Sequence, residues 1–217
     1  DRCEKDKSNV QYGLDYVSGL IDNDENELAI EICNELLVYD SKNKRLLKTI
    51  ANAYLNIFED TQALEYLEKL AEMDDKNFNL KLEISEVAIN AGQYKKAYQW
   101  VNQVISGGKI LGKSFYQRAE VLVGLVETFQ SDEIDFCDKL VYDLAYEDYK
   151  SSYTQGFLNA KTKMNQLIDY EYVSSKGDWF INADGINKMS PSSKECKNLK
   201  KSECYDWINR IVESKDK

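Results

Sequence analysis

Alanines at positions 29, 63 and 97 stand 34 residues apart, and each opens the same short pattern. Four residues later comes an apolar residue, Cys33, Leu67 or Val101, and three further on another, Leu36, Leu70 or Val104. A four-then-three spacing puts those side chains on one face of an α-helix. Self-similarity at such a period marks a repeat architecture, in which each unit leaves one face apolar until a neighbour covers it. One proline and ten glycines in 217 residues leave few chain-breaking positions, which also favours helices over a many-stranded sheet.

The helices ahead of these alanines carry a second pattern. Residues 44 to 77 place Leu47, Ile50, Ala51 and Tyr54 at large, large, small and aromatic positions. Residues 78 to 111 offer Ile84, Ser85 and Ala88, then Gly92 and Tyr94 in the run NAGQYKKAYQW. Residues 10 to 43 repeat it more loosely with Gly13, Tyr16, Val17 and Leu20. From residue 10 to about 130 the chain resembles the tetratricopeptide (TPR) repeat family. That resemblance implies an all-α fold: antiparallel helical hairpins stacked into a right-handed superhelix whose inner groove is lined by the first helix of each pair.

Beyond residue 111 the period loosens. A degenerate fourth hairpin is expected over 112 to 149, its first helix carrying Phe115, Ala119 and Leu122. Its second helix, from about 132, carries Ile134, Cys137, Leu140, Val141 and Leu144, with Ser131 where alanine is expected. A further helix is predicted over 153 to 173, with Phe157, Ala160, Met164, Leu167 and Ile168 on one stripe. Ser174 to Ser193 reads as an ordered loop with Lys-Gly, Asp-Gly and Ser-Pro punctuation. Cys204, Trp207, Ile208, Ile211 and Val212 then keep helical spacing behind Ser202, which predicts a capping helix. The expected division is a repeat array over 1 to 173 and a loop plus capping helix over 174 to 217.

The net charge of −10 argues against a nucleic-acid partner, because phosphate neutralisation needs an excess of clustered Lys and Arg. Residues 186 to 217 are the one mildly basic stretch, with eight Lys/Arg against five Asp/Glu. No apolar run reaches the roughly 18 residues of a membrane span. The chain starts at Asp1, as a processed or truncated chain would, and an exported location is favoured over the cytoplasm.

With no histidine, the commonest general base and zinc ligand are missing, and the five cysteines form no CxxC pair, so neither a metal nor a cofactor is expected. Cys33 and Cys137 fall on core stripes and read as small hydrophobes. Cys196 and Cys204, eight apart, could be bridged in an oxidising compartment, stapling the cap to the loop before it. Carboxylates near residues 22 to 27, 74 to 75 and 132 to 135 read as helix starts that complement the macrodipole. Late aromatics from Tyr142 to Phe180 read as interfaces between successive hairpins.

These features favour a binding scaffold and not an enzyme. In the family register the groove would show Lys48, Asn52 and Asn56, then Asn90, then Lys113. Asparagine suits such a groove because its amide both donates to and accepts from a peptide backbone. Some TPRs grip acidic chaperone tails with a two-carboxylate clamp, whose positions here are Lys48, Asn52, Glu83, Lys113 and Gln117. Glu83 would repel a terminal carboxylate and Gln117 carries no charge. The expected partner is therefore an internal peptide or a protein surface. The alternative is a structural subunit of a larger assembly, such as a cell-envelope one, touching its neighbours through convex faces and tail.

Overall fold

Helix boundaries follow the sequence period. In the computed structural model, helices α1 (Val10–Asp22) and α2 (Asn26–Leu37) are followed 34 residues later by α3 (Lys44–Asn56) and α4 (Asp60–Glu72). Another 34 residues on come α5 (Phe78–Asn90) and α6 (Tyr94–Ser106). The structure describes residues 10–129, 133–197 and 202–214; Cys3, Ser131 and Asp132 lie outside them.

The connections repeat as well. Asp24, Phe58 and Gly92, again 34 apart, take φ values of 62°, 60° and 70° in the three-residue turns after α1, α3 and α5. After α1 and α3 the closing bond runs from Glu25 N–H to Leu20 C=O and from Glu59 N–H to Tyr54 C=O, the six-to-one closure that needs a left-handed residue. At the next junctions Asn43 and Asn77 cap α3 and α5: their side-chain oxygens accept from Leu46 N–H and Leu80 N–H.

The chain divides after Ala91 into two compact units. In the first, α1 to α5 pack in sequence, each against the next. Ala29 and Ala63 are fully buried, as are Cys33 and Leu67, while Leu70 is only half-buried. Burial pushes the Cys33 thiol up to about 12, so it stays protonated and packs as a hydrophobe. At Gly13, α1 comes so close to α2 that a Cβ would collide with a Leu36 methyl.

In the second unit α6 packs on α7 (Leu111–Phe129), α7 on α8 (Phe136–Thr154), and α8 on α9 (Ala160–Asp169). Helix α8 starts later than expected, where Asp135 accepts from Cys137 N–H and Asp138 N–H while Asp138 accepts from Asp135 N–H. The stretch read as loop contains α10 (Lys176–Asn182), opened by a matching box between Ser175 and Asp178. There follow a two-residue strand β1 (Lys188–Met189), single turns α11 (Lys194–Lys197) and α12 (Ser202–Tyr205), and strand β2 (Val212–Glu213), antiparallel to β1.

Helix α8 is covered on more than one side, and the tail does much of the covering. Asp138, Asp143 and Asp148 are all at most 3% exposed. Tyr205 Oη donates to Asp138 at 2.6 Å, the Ser174 hydroxyl donates to Asp143, and Arg210 forks onto Asp148 with bonds of 2.6 and 2.9 Å. Trp179 Nε1–H donates to the Ser174 oxygen at 2.8 Å, so the indole closes the Asp143 site.

Two expectations for the tail are corrected. The disulfide joins Cys196 to Cys137 of α8, not to Cys204, so a stripe residue read as an inert hydrophobe is the anchor of the tail. The predicted final helix stops at Tyr205; a turn follows, closed by a bond from Ile208 N–H to Tyr205 C=O, and the chain then runs without helix to β2. Asp138 and Asp148 are ten residues apart on α8, about 15 Å along its axis. Tyr205 and Arg210, five residues apart, would span about 7.5 Å as helix but up to about 17 Å extended. A continued helix would fall well short of the spacing of the two buried aspartates, so the chain has to leave helical geometry after Tyr205. Trp207 then sits edge-on to Tyr98, with ring centroids 5.1 Å apart.

Candidate functional site

The first helices of the first unit lie side by side. Arg45 of α3 donates to Gln11 of α1 at 3.0 Å, and Lys48 of α3 forms an ion pair with Glu83 of α5. Residues 48, 52 and 56 fall four apart on α3, so Asn52 and Asn56 share the face of Lys48. Asn52 is exposed and makes no side-chain hydrogen bond among the described residues. Asn56 is exposed too, but its amide donates to Asn26 at 3.0 Å. Asn90, at the end of α5, is exposed and without a side-chain bond among the described residues.

Four of the five candidate residues thus belong to the first unit. The fifth, Lys113, is exposed on α7 of the second unit. Two features change the electrostatic reading. Glu83, an adverse charge for an acidic peptide, is neutralised by Lys48, and both side chains are 36% exposed. Gln117 is 8% exposed, so it is a packing residue and offers no clamp position. What remains are two amides, Asn52 and Asn90, exposed and without a side-chain hydrogen bond among the described residues.

Sequence reasoning passed over the ionic centre of the second unit. Asp148 is 1% exposed and receives two bonds from Arg118, at 2.7 and 2.8 Å, as well as the two from Arg210. Arg118 also donates to Asn102 at 2.7 Å. The late aromatics pack mainly on one another: Tyr142 stacks on Tyr172, Tyr116 meets Tyr149 and Phe157, and Phe136 meets Trp179. Among the described residues no group of His, Cys, Asp and Glu could hold a metal ion, and no helix is long and apolar enough to cross a membrane.

Neither the protein-family models nor the curated proteins give a match to this sequence. Solved structures do. A crystal structure of MamA protein is 17% identical and covers 76% of this chain and 79% of its own, with a TM-score of 0.55. A second MamA crystal structure, 18% identical, covers 73% of this chain and 85% of its own, with a TM-score of 0.56. YrrB, described as a TPR protein with an unusual peptide-binding site, is 16% identical over 75% of this chain and 90% of its own at a TM-score of 0.47. The chain has a TPR-like fold. Its 34-residue hairpins supply the TPR-like elements directly, and at these identities the likeness speaks for the fold alone.

Proposed function

We propose that this TPR-like chain is a protein-interaction scaffold, in which the first-helix face of the first unit grips an extended segment of a partner by recognition without chemistry. The carrying observation is the pair of uncommitted amides, Asn52 on α3 and Asn90 on α5, on exposed helix surface. A carboxamide in such a place donates to a peptide carbonyl and accepts from a peptide N–H, independent of the partner's side chains. Asn56 contributes by exchanging its bond to Asn26, and Lys48 by exchanging Glu83. Lys113 has the same role in the second unit. The test is partner capture from the native source with wild type and with an Asn52→Ala/Asn90→Ala variant. Loss of a specific partner supports the reading; unchanged partners sink it.

A second reading, as a structural subunit, draws on Phe180 and Ile181, which are 87% and 79% exposed next to each other on α10. Adjacent exposed apolar side chains of this size are suited to contact with a neighbour. Substituting both with serine would disrupt such an assembly while leaving Asn52-dependent capture intact. The Cys137–Cys196 bridge suits an oxidising, exported setting for either role.

A further inference from the structure

The second unit contains a cleft that the Asn52 and Asn90 surface does not involve. It opens between α7 and α9, is floored by α8, and has a volume of about 160 Å³. Glu127, Tyr142, Lys163, Gln166, Tyr170 and Tyr172 line it.

Tyr142 is 1% exposed, and its buried hydroxyl has no hydrogen-bond partner among the described residues. Buried polar groups are nearly always satisfied, so such an exception calls for an explanation. The charges around it are unequal. Glu120 is engaged twice, by the Tyr149 hydroxyl and by Lys163 at 3.2 Å. Glu127 is exposed and forms no ion pair or hydrogen bond among the described residues. Lys163 thus pairs with Glu120 and also feels the charge of Glu127, so two carboxylates face one ammonium and the surroundings of the cleft carry a net negative charge. Burial and then these carboxylates push the Tyr142 and Tyr149 hydroxyls well above the ordinary tyrosine range.

Aromatic faces complete the site. Tyr172 stacks on Tyr142 with centroids 4.8 Å apart, and Tyr170, 65% exposed at the mouth, lies 5.6 Å from Tyr172. A carboxylate beside tyrosine rings attracts cations through both charge and ring quadrupoles. The volume is well below the roughly 300 Å³ at which small-molecule sites begin, and suits one long side chain.

We propose that this cleft receives a lysine or arginine side chain of a partner polypeptide, its charge met by Glu127 and its carbon stem laid against Tyr170 and Tyr172. The site stands whether or not the Asn52 and Asn90 surface binds a peptide.

The test uses the full chain with ring-labelled tyrosine, titrated by NMR with acetyl-Gly-Gly-Lys-Gly-Gly-amide and with its norleucine counterpart. Tyr170→Phe and Tyr172→Phe variants assign the resonances. The lysine peptide is expected to shift the cleft tyrosines and the norleucine peptide to leave them in place. Glu127→Gln weakens the lysine peptide about threefold, the loss of one solvent-exposed charge interaction. Lys163→Gln, which removes the like charge, tightens it; a merely damaged fold would not do so. Equal response to norleucine, no shift up to about 10 mM, which is weaker than any useful subsite, or shifts produced only by a neutral sugar such as methyl glucoside would each overturn the proposal.

Discussion

The ammonium of Lys48 on α3 meets the carboxylate of Glu83 on α5, joining two first helices whose sequence positions differ by 35 residues. Because both side chains are about one-third exposed, water and salt screen the pair, and its contribution is small. A double-mutant cycle of Lys48→Ala and Glu83→Ala, read by urea unfolding, should give a coupling of about 0.5 kcal/mol that fades in about 1 M salt. In partner capture, Glu83→Gln should release Lys48 and strengthen binding of acidic segments relative to wild type.

Asp148 is a different case, since its carboxylate is buried beneath two arginine forks. Removing one member of a buried ion group leaves the others unpaired, at about 3–5 kcal/mol. Asp148→Ala should lower the unfolding free energy by that order. Arg210, with 29% of its side chain exposed, can turn to water when its partner goes, and Arg118 keeps Asp148 paired when Arg210 is removed. Arg210→Ala should therefore cost only about 1–2 kcal/mol. It should also make the stretch between Tyr205 and Val212 the first site cut in limited proteolysis.

The bridge between Cys137 and Cys196 closes a loop of 59 residues, which by chain entropy is worth about 4 kcal/mol. Non-reducing peptide mapping should recover the Cys137 peptide linked to the Cys196 peptide, and no Cys196–Cys204 link. Reductant should lower the denaturant midpoint of the wild type and leave a Cys137→Ala/Cys196→Ala variant unmoved.

Much of the array was legible because its code is local. Ala29, Ala63 and Ala97 mark helix faces whose spacing needs no knowledge of distant residues, and the helices begin where that spacing puts them. The 24, 58 and 92 turn positions were equally local signals, hidden because their letters vary, while the caps Asn43 and Asn77 repeat the same letter at the 34-residue period. The tail was not legible. Cys204, Trp207, Ile208, Ile211 and Val212 have helical spacing, yet Tyr205 and Arg210 answer aspartates 67 and 62 residues away, which no local pattern records. The candidate face was legible in part: Asn52 and Asn90 stand exposed as the register implies, but the capture of Lys48 by Glu83 is a tertiary event. Cysteine spacing misled for the same reason, since the partner of Cys196 lies on α8 and not eight residues onward.

Phe58 carries the last prediction. It holds φ at 60° in the turn between α3 and α4, where the equivalent positions are Asp24 and Gly92. A bulky side chain in this left-handed region costs about 1–2 kcal/mol, while glycine adopts it freely and aspartate tolerates it. At 89% exposure the Phe58 ring supplies almost no packing in return. Phe58→Gly should therefore stabilise the protein by about 1 kcal/mol, read by thermal or urea unfolding. Phe58→Ala separates the causes, because it removes the ring but keeps the Cβ, and should leave stability nearly unchanged. Gly92→Ala should move the other way by about 1 kcal/mol through backbone strain alone, since a Cβ there would have no neighbour within 4 Å. If Phe58→Gly destabilised the chain, the ring would have to be packing against something, and the turn would be a contact site instead of a strained connection.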